Sequence, residues 1–307
     1  TMKKVLVFDG IAQVAIDYLK SNHIEVISNQ QKNDDDFLAN QDLNGIILMM
    51  HPVDKHILSQ LPDLKIVARY GVGYDNVNLE DASQQHVIVT NTPGANATAV
   101  AETALMHMLM SGRLFYQERQ SITDETDAPA KGQEVSHKKI GIIGFGAIGQ
   151  KVDELLTGFN VEVLAYARHS KSVKNGRMAT LEEIYSQSDF IVLALPATSD
   201  TQNMIDAEVF KKMKNTAVLV NIARGAIVDE NALFNALKSG EIAGAGLDVV
   251  TNEPISDNNA LLGLSNTFIT PHIAAKSREA FDAVGLAAAK EVVRVLNNEA
   301  PLNQVNA

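Results

Sequence analysis

Cysteine is absent from this chain of 307 residues, which excludes disulfide stapling and thiolate chemistry. Nor does any apolar stretch approach the roughly 20 residues of a membrane-spanning helix. Positive charge is scarce: 26 Lys+Arg stand against 37 Asp+Glu, a formal charge of −11 with no basic block to interrupt it. That balance argues against nucleic acid and anionic membranes as partners. Thr1-Met2-Lys3-Lys4 runs directly into a strand-like segment, so no leader segment is expected and a cytoplasmic location is the expectation. Internal repeats and low-complexity tracts are not evident. Asn33-Asp34-Asp35-Asp36 lacks the alternating ligands and the glycine of a calcium loop; it reads as a helix cap on a solvated face, and no metal is expected. The sequon Asn96-Ala97-Thr98 has no bearing on a chain that is not secreted.

What is present suits two cores. The length exceeds the roughly 100–200 residues of one domain, and 46% of the residues are hydrophobic. Short β-branched runs at 5–8, 24–27, 45–48, 64–67 and 87–89 alternate with amphipathic stretches such as 11–20 and 53–61. This is the pattern of a parallel sheet wrapped by helices in the flavodoxin manner. A helical stretch from about Ala97 to Gln117 follows, in which Met106, His107, Met108 and Met110 read as packing residues. Ser121 to Lys139, polar and broken by Pro129 and Gly132, reads as a connecting arm. From Ile140 onward, strand-like runs at 161–166, 190–195, 217–222, 242–247 and 267–270 again alternate with helices. The last helix, Ser277 to Asn297, has no strand after it and is expected to cross back to the first domain. The expected architecture is α/β with two doubly wound domains: a discontinuous, flavodoxin-like substrate domain over 1–97 and 275–307, and a Rossmann domain over 98–274.

Gly144-Phe145-Gly146-Ala147-Ile148-Gly149 follows the apolar run Ile140-Gly141-Ile142-Ile143 and opens a helix. Gly144 permits a tight turn, Gly146 lets the backbone approach an anion, and Gly149 lets the helix pack close to the strand. A helix N-terminus then offers N–H groups and a positive dipole end to the pyrophosphate of a dinucleotide. Three further residues stand at the ends of late strands, where ligands bind in open α/β sheets. Arg224 follows Val218 to Ile222, Glu253 follows Leu247 to Val250, and His272 follows Phe268 to Pro271. An Arg suits a carboxylate, and a His beside a carboxylate suits proton exchange with a carbonyl oxygen while hydride moves at carbon. Singly, each is more readily read as a loop or cap residue.

Together the glycine turn, Asn221-Ile222-Ala223-Arg224-Gly225-Ala226-Ile227-Val228-Asp229-Glu230, Ala245-Gly246-Leu247-Asp248-Val249 with Asn252-Glu253-Pro254, and Thr270-Pro271-His272-Ile273 resemble the D-isomer-specific 2-hydroxyacid dehydrogenases. Arg69-Tyr70-Gly71-Val72-Gly73-Tyr74-Asp75-Asn76 and Asn91 to Glu102 extend the likeness through the first half. The resemblance implies an NAD(P)H-dependent enzyme interconverting a small 2-oxo acid and its D-2-hydroxy acid, in a cleft between the domains that closes during turnover. Arg224 would bind the oxo acid, His272 would be the acid/base and Glu253 its partner. Tyr70, Val72 and Gly73 would contact the substrate, the last two through backbone N–H groups. Leu195, Pro196, Thr201, Ala223, Asp248 and Ala274 would lie against the cofactor. The long helix and the arm resemble the family's dimerisation region, which implies a homodimer.

Two departures refine the expectation. An acidic residue about 20 positions past the glycines ordinarily holds the ribose of NAD. Here Ala167 occupies that place, and Arg168, His169 and Ser170 follow, a set that suits the 2′-phosphate of NADP. NADPH is therefore the expected cofactor, with NAD as the alternative. Met49 and Met50 stand where related phosphoglycerate dehydrogenases tend to carry an arginine, which favours glyoxylate, hydroxypyruvate or an apolar 2-oxo acid over a phosphorylated one. A phosphoglycerate dehydrogenase remains the alternative in the same class. A nucleotide-sensing corepressor, which resembles this family, is the alternative from another.

Overall fold

A computed structural model describes residues 2–125 and 131–306; Pro129 of the expected arm lies outside the described residues. The chain forms two compact units, Thr1–Asn96 with Lys276–Ala307, and Ala97–Ala275. In the first unit β1 (Lys3–Phe8), α1 (Gln13–Ser21), β2 (Ile24–Asn29), α2 (Asp34–Leu38), β3 (Gly45–Leu48), α3 (Lys55–Leu58), β4 (Ile66–Arg69), α4 (Leu79–Gln84) and β5 (Ile88–Thr90) follow in order. The second unit begins with α5 (Ala97–Gly112) and α6 (Phe115–Asp124), then β6 (Lys139–Ile143), α7 (Ala147–Leu155), β7 (Glu162–Tyr166) and β8 (Gly176–Met178). It continues with α8 (Leu181–Gln187), β9 (Phe190–Leu193), α9 (Ala207–Lys212), β10 (Val218–Asn221), α10 (Glu230–Ser239), β11 (Gly244–Leu247) and β12 (Thr267–Ile269). The chain then supplies α11 (Arg278–Leu296) to the first unit.

All strands of the first unit are parallel, in the order β2-β1-β3-β4-β5, the flavodoxin-type arrangement. Alternation along each strand assigns residues to opposite faces. Val5, Val7, Ile47, Ile66 and Ala68 pack with the α11 stripe Val284, Ala288, Val292 and Val295, spaced by one helical turn. Leu6, Ile46, Leu48, Val67 and Val89 pack with Phe37, Ile57 and Leu58 on the other side. Asn33 caps α2, its side chain accepting from Asp36 N–H, as the acidic run led one to expect. The tail beyond α11 lies along β5: Val305 N–H donates to Val89 O and Asn91 N–H to Asn303 O. Buried Glu291 on α11 holds that tail, accepting from Leu302 N–H at 3.0 Å and from Asn303 Nδ2 at 2.8 Å.

The second unit is also a parallel sheet, in the order β12-β11-β10-β9-β6-β7-β8. The order reverses between β6 and β9, which creates the crevice where doubly wound sheets bind ligands. Two elements differ from expectation. The stretch from Ala97 to Gln117 is two helices, because Leu114 adopts a left-handed φ of 55° and Gly112 O is captured by Gln133 N–H. The edge strand β8 carries only Gly176-Arg177-Met178, too short and too polar to show an apolar alternation.

Candidate active site

The phosphate turn joins β6 to α7. Gly144 has φ +96°, and a Cβ there would lie 2.4 Å from Ala194 O. A Cβ on Gly149 would lie 2.3 Å from Gly144 O, so only glycine closes the turn at both ends. At Gly146 an added Cβ would meet nothing within 4 Å, and this N-cap residue offers α7 no side-chain acceptor. The first-turn N–H groups at Ala147 and Ile148 thus lack a capping side chain beside open space. These features fit an anionic phosphate. Phe145 is buried and anchors the turn.

Beyond β7, Arg168, His169 and Ser170 are exposed. A residue not singled out from the sequence holds their loop in place. Asp153 on α7 is 2% exposed, and its carboxylate accepts from Lys174 N–H at 2.6 Å and from Asn175 N–H at 3.1 Å. On the loop after β9, Thr201 Oγ1 donates to Pro196 O at 2.8 Å and accepts from Thr198 N–H, which fixes the backbone after Leu195.

Arg224, Glu253 and His272 follow β10, β11 and β12, three adjacent strands of one sheet. Asn221 orders the first loop: its Oδ1 accepts from Ala223 N–H and its Nδ2 donates to Arg224 O. A Cβ on Gly225 would lie 2.0 Å from Val250 C, so the loops bearing Arg224 and Glu253 touch through backbone. His272 Nδ1 lies 2.5 Å from Glu253 Oε2, while Glu253 Oε1 accepts from Val250 N–H. A ring held through Nδ1 keeps Nε2 for proton exchange, and half of the His272 side chain is exposed. Asp248, 1% exposed, fixes the loop that carries this ring. Its Oδ1 accepts from Thr270 Oγ1 at 2.6 Å and Ile273 N–H at 2.8 Å, its Oδ2 from Ala274 N–H at 2.8 Å, and its backbone O from His272 N–H.

In the first unit the backbone of Val72 and Gly73 follows β4, and Val72 is exposed. The Tyr70 ring differs from the expected substrate contact: it packs edge-on against Phe8 and its hydroxyl donates to Phe281 O. Burial pushes its phenol well above the ordinary range. Met49 and Met50 line a concavity of about 490 Å³ with Phe8, Gln31, Lys32 and His51. Met50 is 71% exposed, whereas Met49 also packs against the core.

The chain is similar to known proteins along most of its length. The family model described as D-isomer specific 2-hydroxyacid dehydrogenase, NAD binding domain, matches residues 104–274. A glyoxylate reductase of Pyrococcus furiosus is 38% identical over 87% of this chain and 83% of its own. The structure of an NADPH-dependent glyoxylate/hydroxypyruvate reductase from Sinorhizobium meliloti, in complex with NADP and malonate, superposes with a TM-score of 0.84. It is 28% identical and covers 99% of this chain and 97% of its own. The NAD+-bound 3-phosphoglycerate dehydrogenase of Entamoeba histolytica superposes with a TM-score of 0.85 at 26% identity, over 100% of this chain and 99% of its own.

Proposed function

The chain belongs to the D-isomer specific 2-hydroxyacid dehydrogenases, and from that premise we propose that it reduces a small 2-oxo acid to the D-2-hydroxy acid with NADPH as preferred electron donor. Family membership itself makes it an NAD(P)-dependent oxidoreductase. The proposal is carried by the 2.5 Å contact between His272 Nδ1 and Glu253 Oε2 at strand ends next to Arg224. The reduced nicotinamide supplies the hydride. Arg224 holds the substrate carboxylate by charge-assisted hydrogen bonds. His272 gives its Nε2 proton to the carbonyl oxygen as the carbon accepts hydride, and Glu253 orients the ring and stabilises its charged form. The ring then regains a proton from water, which closes the cycle.

Preference for NADPH rests on Ala167 standing where an acid would hold the ribose, and on exposed Arg168, His169 and Ser170 beyond it. Leu195, Pro196, Thr201, Ala223 and Ala274 are assigned to the cofactor's remaining length. Met49 and Met50 favour glyoxylate, hydroxypyruvate or an apolar 2-oxo acid, since neither can pair with a phosphate. The relative from P. furiosus is named for glyoxylate. Phe115, Tyr116 and Ile122 on α6 are exposed at 43%, 46% and 72%, and we assign them to a homodimer contact. Light scattering that returns a monomer mass would refute that assignment.

The deciding experiment measures kcat/KM for glyoxylate, hydroxypyruvate, phosphohydroxypyruvate and branched 2-oxo acids, with NADPH and NADH in parallel. Turnover of the smaller acids, fastest with NADPH and yielding the D product wherever the hydroxy acid is chiral, is the expected result. A higher value with NADH overturns the cofactor preference, and a best value with phosphohydroxypyruvate makes the chain a phosphoglycerate dehydrogenase. Tight NADPH binding with no turnover leaves the sensing corepressor.

A further inference from the structure

His107 is wholly buried in α5, a place where an apolar residue would pack at no polar cost. Its Nε2 lies 2.9 Å from Thr270 Oγ1. The Thr270 hydroxyl has one hydrogen, and Asp248 Oδ1 at 2.6 Å takes it, since an ionised carboxylate only accepts. Thr270 must therefore accept from His107, which fixes the ring as the Nε2–H tautomer. Among the described residues no donor meets its Nδ1. A neutral ring is the form burial favours, and burial pushes His107 down to about 4 against smaller pulls from the Asp248 carboxylate and the Phe268 carbonyl. Gly246 on β11 leaves the room for it: a Cβ there would lie 2.9 Å from both the ring Nδ1 and the His107 Cβ.

A buried donor with an unpaired acceptor on the same ring lowers stability, so its placement calls for a role. The chain of contacts ends on the loop that carries His272. We infer that His107 is a positioning residue for His272, acting through the Thr270 hydroxyl on the Asp248 carboxylate. The Asp248 carboxylate grips this loop at Thr270, Ile273 and Ala274, on both sides of His272, so its orientation sets the height and tilt of the His272 ring. His107 holds a lone pair of this hydroxyl from the other side, which keeps its hydrogen aimed at Oδ1. Loss of the imidazole lets the Thr270 side chain rotate and Asp248 relax. An acid/base group needs placement to about 0.5 Å, which a relaxed loop does not give.

This inference rests on the reading of His272 as the acid/base, and its test has an arm independent of turnover. His107→Leu keeps an apolar filling, Thr270→Val removes only the hydroxyl, and His107→Gln restores an N–H donor. The expected result with glyoxylate and NADPH is a fall in kcat of about tenfold in His107→Leu and in Thr270→Val. The double variant is no slower than either, KM and NADPH affinity stay within about twofold, and His107→Gln recovers most of the loss. In the same variants, amide exchange at Ile273 and Ala274 accelerates, whether or not any oxo acid is turned over. Multiplying losses in the double variant, or unchanged exchange at both amides in folded Thr270→Val, overturns the inference. Faster exchange in an enzyme without turnover keeps the network and overturns the reductase reading instead. Should His107→Leu fail to fold, Thr270→Val and His107→Gln carry the same comparisons.

Discussion

Lowering pH from 7.5 to 4.5 should weaken the second unit through His107 in particular. An unfolded histidine takes up a proton near its ordinary value of 6.5, whereas the buried ring resists protonation down to about 4. Between those values the unfolded chain binds one more proton than the folded chain. The stability associated with the neutral ring is therefore complete above 6.5 and is lost as pH falls through the window; below about 4 the deficit is constant. A pKa unit corresponds to about 1.4 kcal/mol, so a separation of about 2.5 units sets a limit of about 3 kcal/mol, most of it reached by pH 4.5. Carboxylates elsewhere also titrate in this range, and a paired comparison removes them. Urea unfolding of the wild type and His107→Gln, followed by circular dichroism at several pH values, gives two stability curves. The wild type should lose about 2.5 kcal/mol more than the variant across the interval, in the transition that the substitution displaces. Curves that stay parallel within about 0.5 kcal/mol would show that the folded chain does not hold a neutral ring there.

Replacing His272 by Asn should lower kcat by about 10²–10⁴ and leave NADPH affinity within about twofold, measured by steady-state kinetics and cofactor fluorescence; an unchanged kcat removes the residue from proton transfer. Arg168→Ala should raise KM for NADPH by about tenfold or more, the effect of one lost charge-assisted contact, and barely alter KM for NADH; equal changes with both cofactors refute the assignment to the 2′-phosphate. Gly149→Ala places a Cβ 2.3 Å from Gly144 O, so either cofactor should bind far more weakly to the folded variant, and retained affinity would show that the turn tolerates opening.

The placement of the proposed catalytic residues at strand ends was legible because its parts are local in sequence. A strand followed at once by one polar residue marks Arg224 and His272, and three such strands became neighbours only through the sheet order. The glycine turn after β6 was legible because glycine is required there for steric reasons that hold in any context. The groups that hold these parts still were not. Asp153 meets Lys174 and Asn175 across 21 and 22 positions, and His107 meets Thr270 across 163. Periodicity along α5 marks His107 as inward-facing, which is true, yet cannot say that a hydroxyl awaits it. Tyr70 illustrates the converse. It sits inside a glycine-rich strand-end motif, but the phenol turns inward because Phe281, far along the chain, offers a carbonyl. The break between α5 and α6 was hidden for the same reason, since Gln133 takes Gly112 O from a distant segment.

The tail along β5 has a consequence for how the molecule keeps to itself in concentrated solution. A parallel sheet of this kind ends in a strand with one row of unsatisfied N–H and C=O groups, an invitation to any extended peptide. Val89, Asn91 and their neighbours give those groups to residues 303–306, and a bridge joins Thr90 to Gln304 in antiparallel sense. Two side chains clamp this improvised sixth strand: the buried carboxylate of Glu291, on the helix just before it, at one end, and Asn306, donating to Val87 O and Ser83 Oγ, at the other. Insolubility should therefore begin at that margin: a chain that has lost the clamp stays folded elsewhere and sticks edge to edge, long before its phosphate turn or its histidine is disturbed.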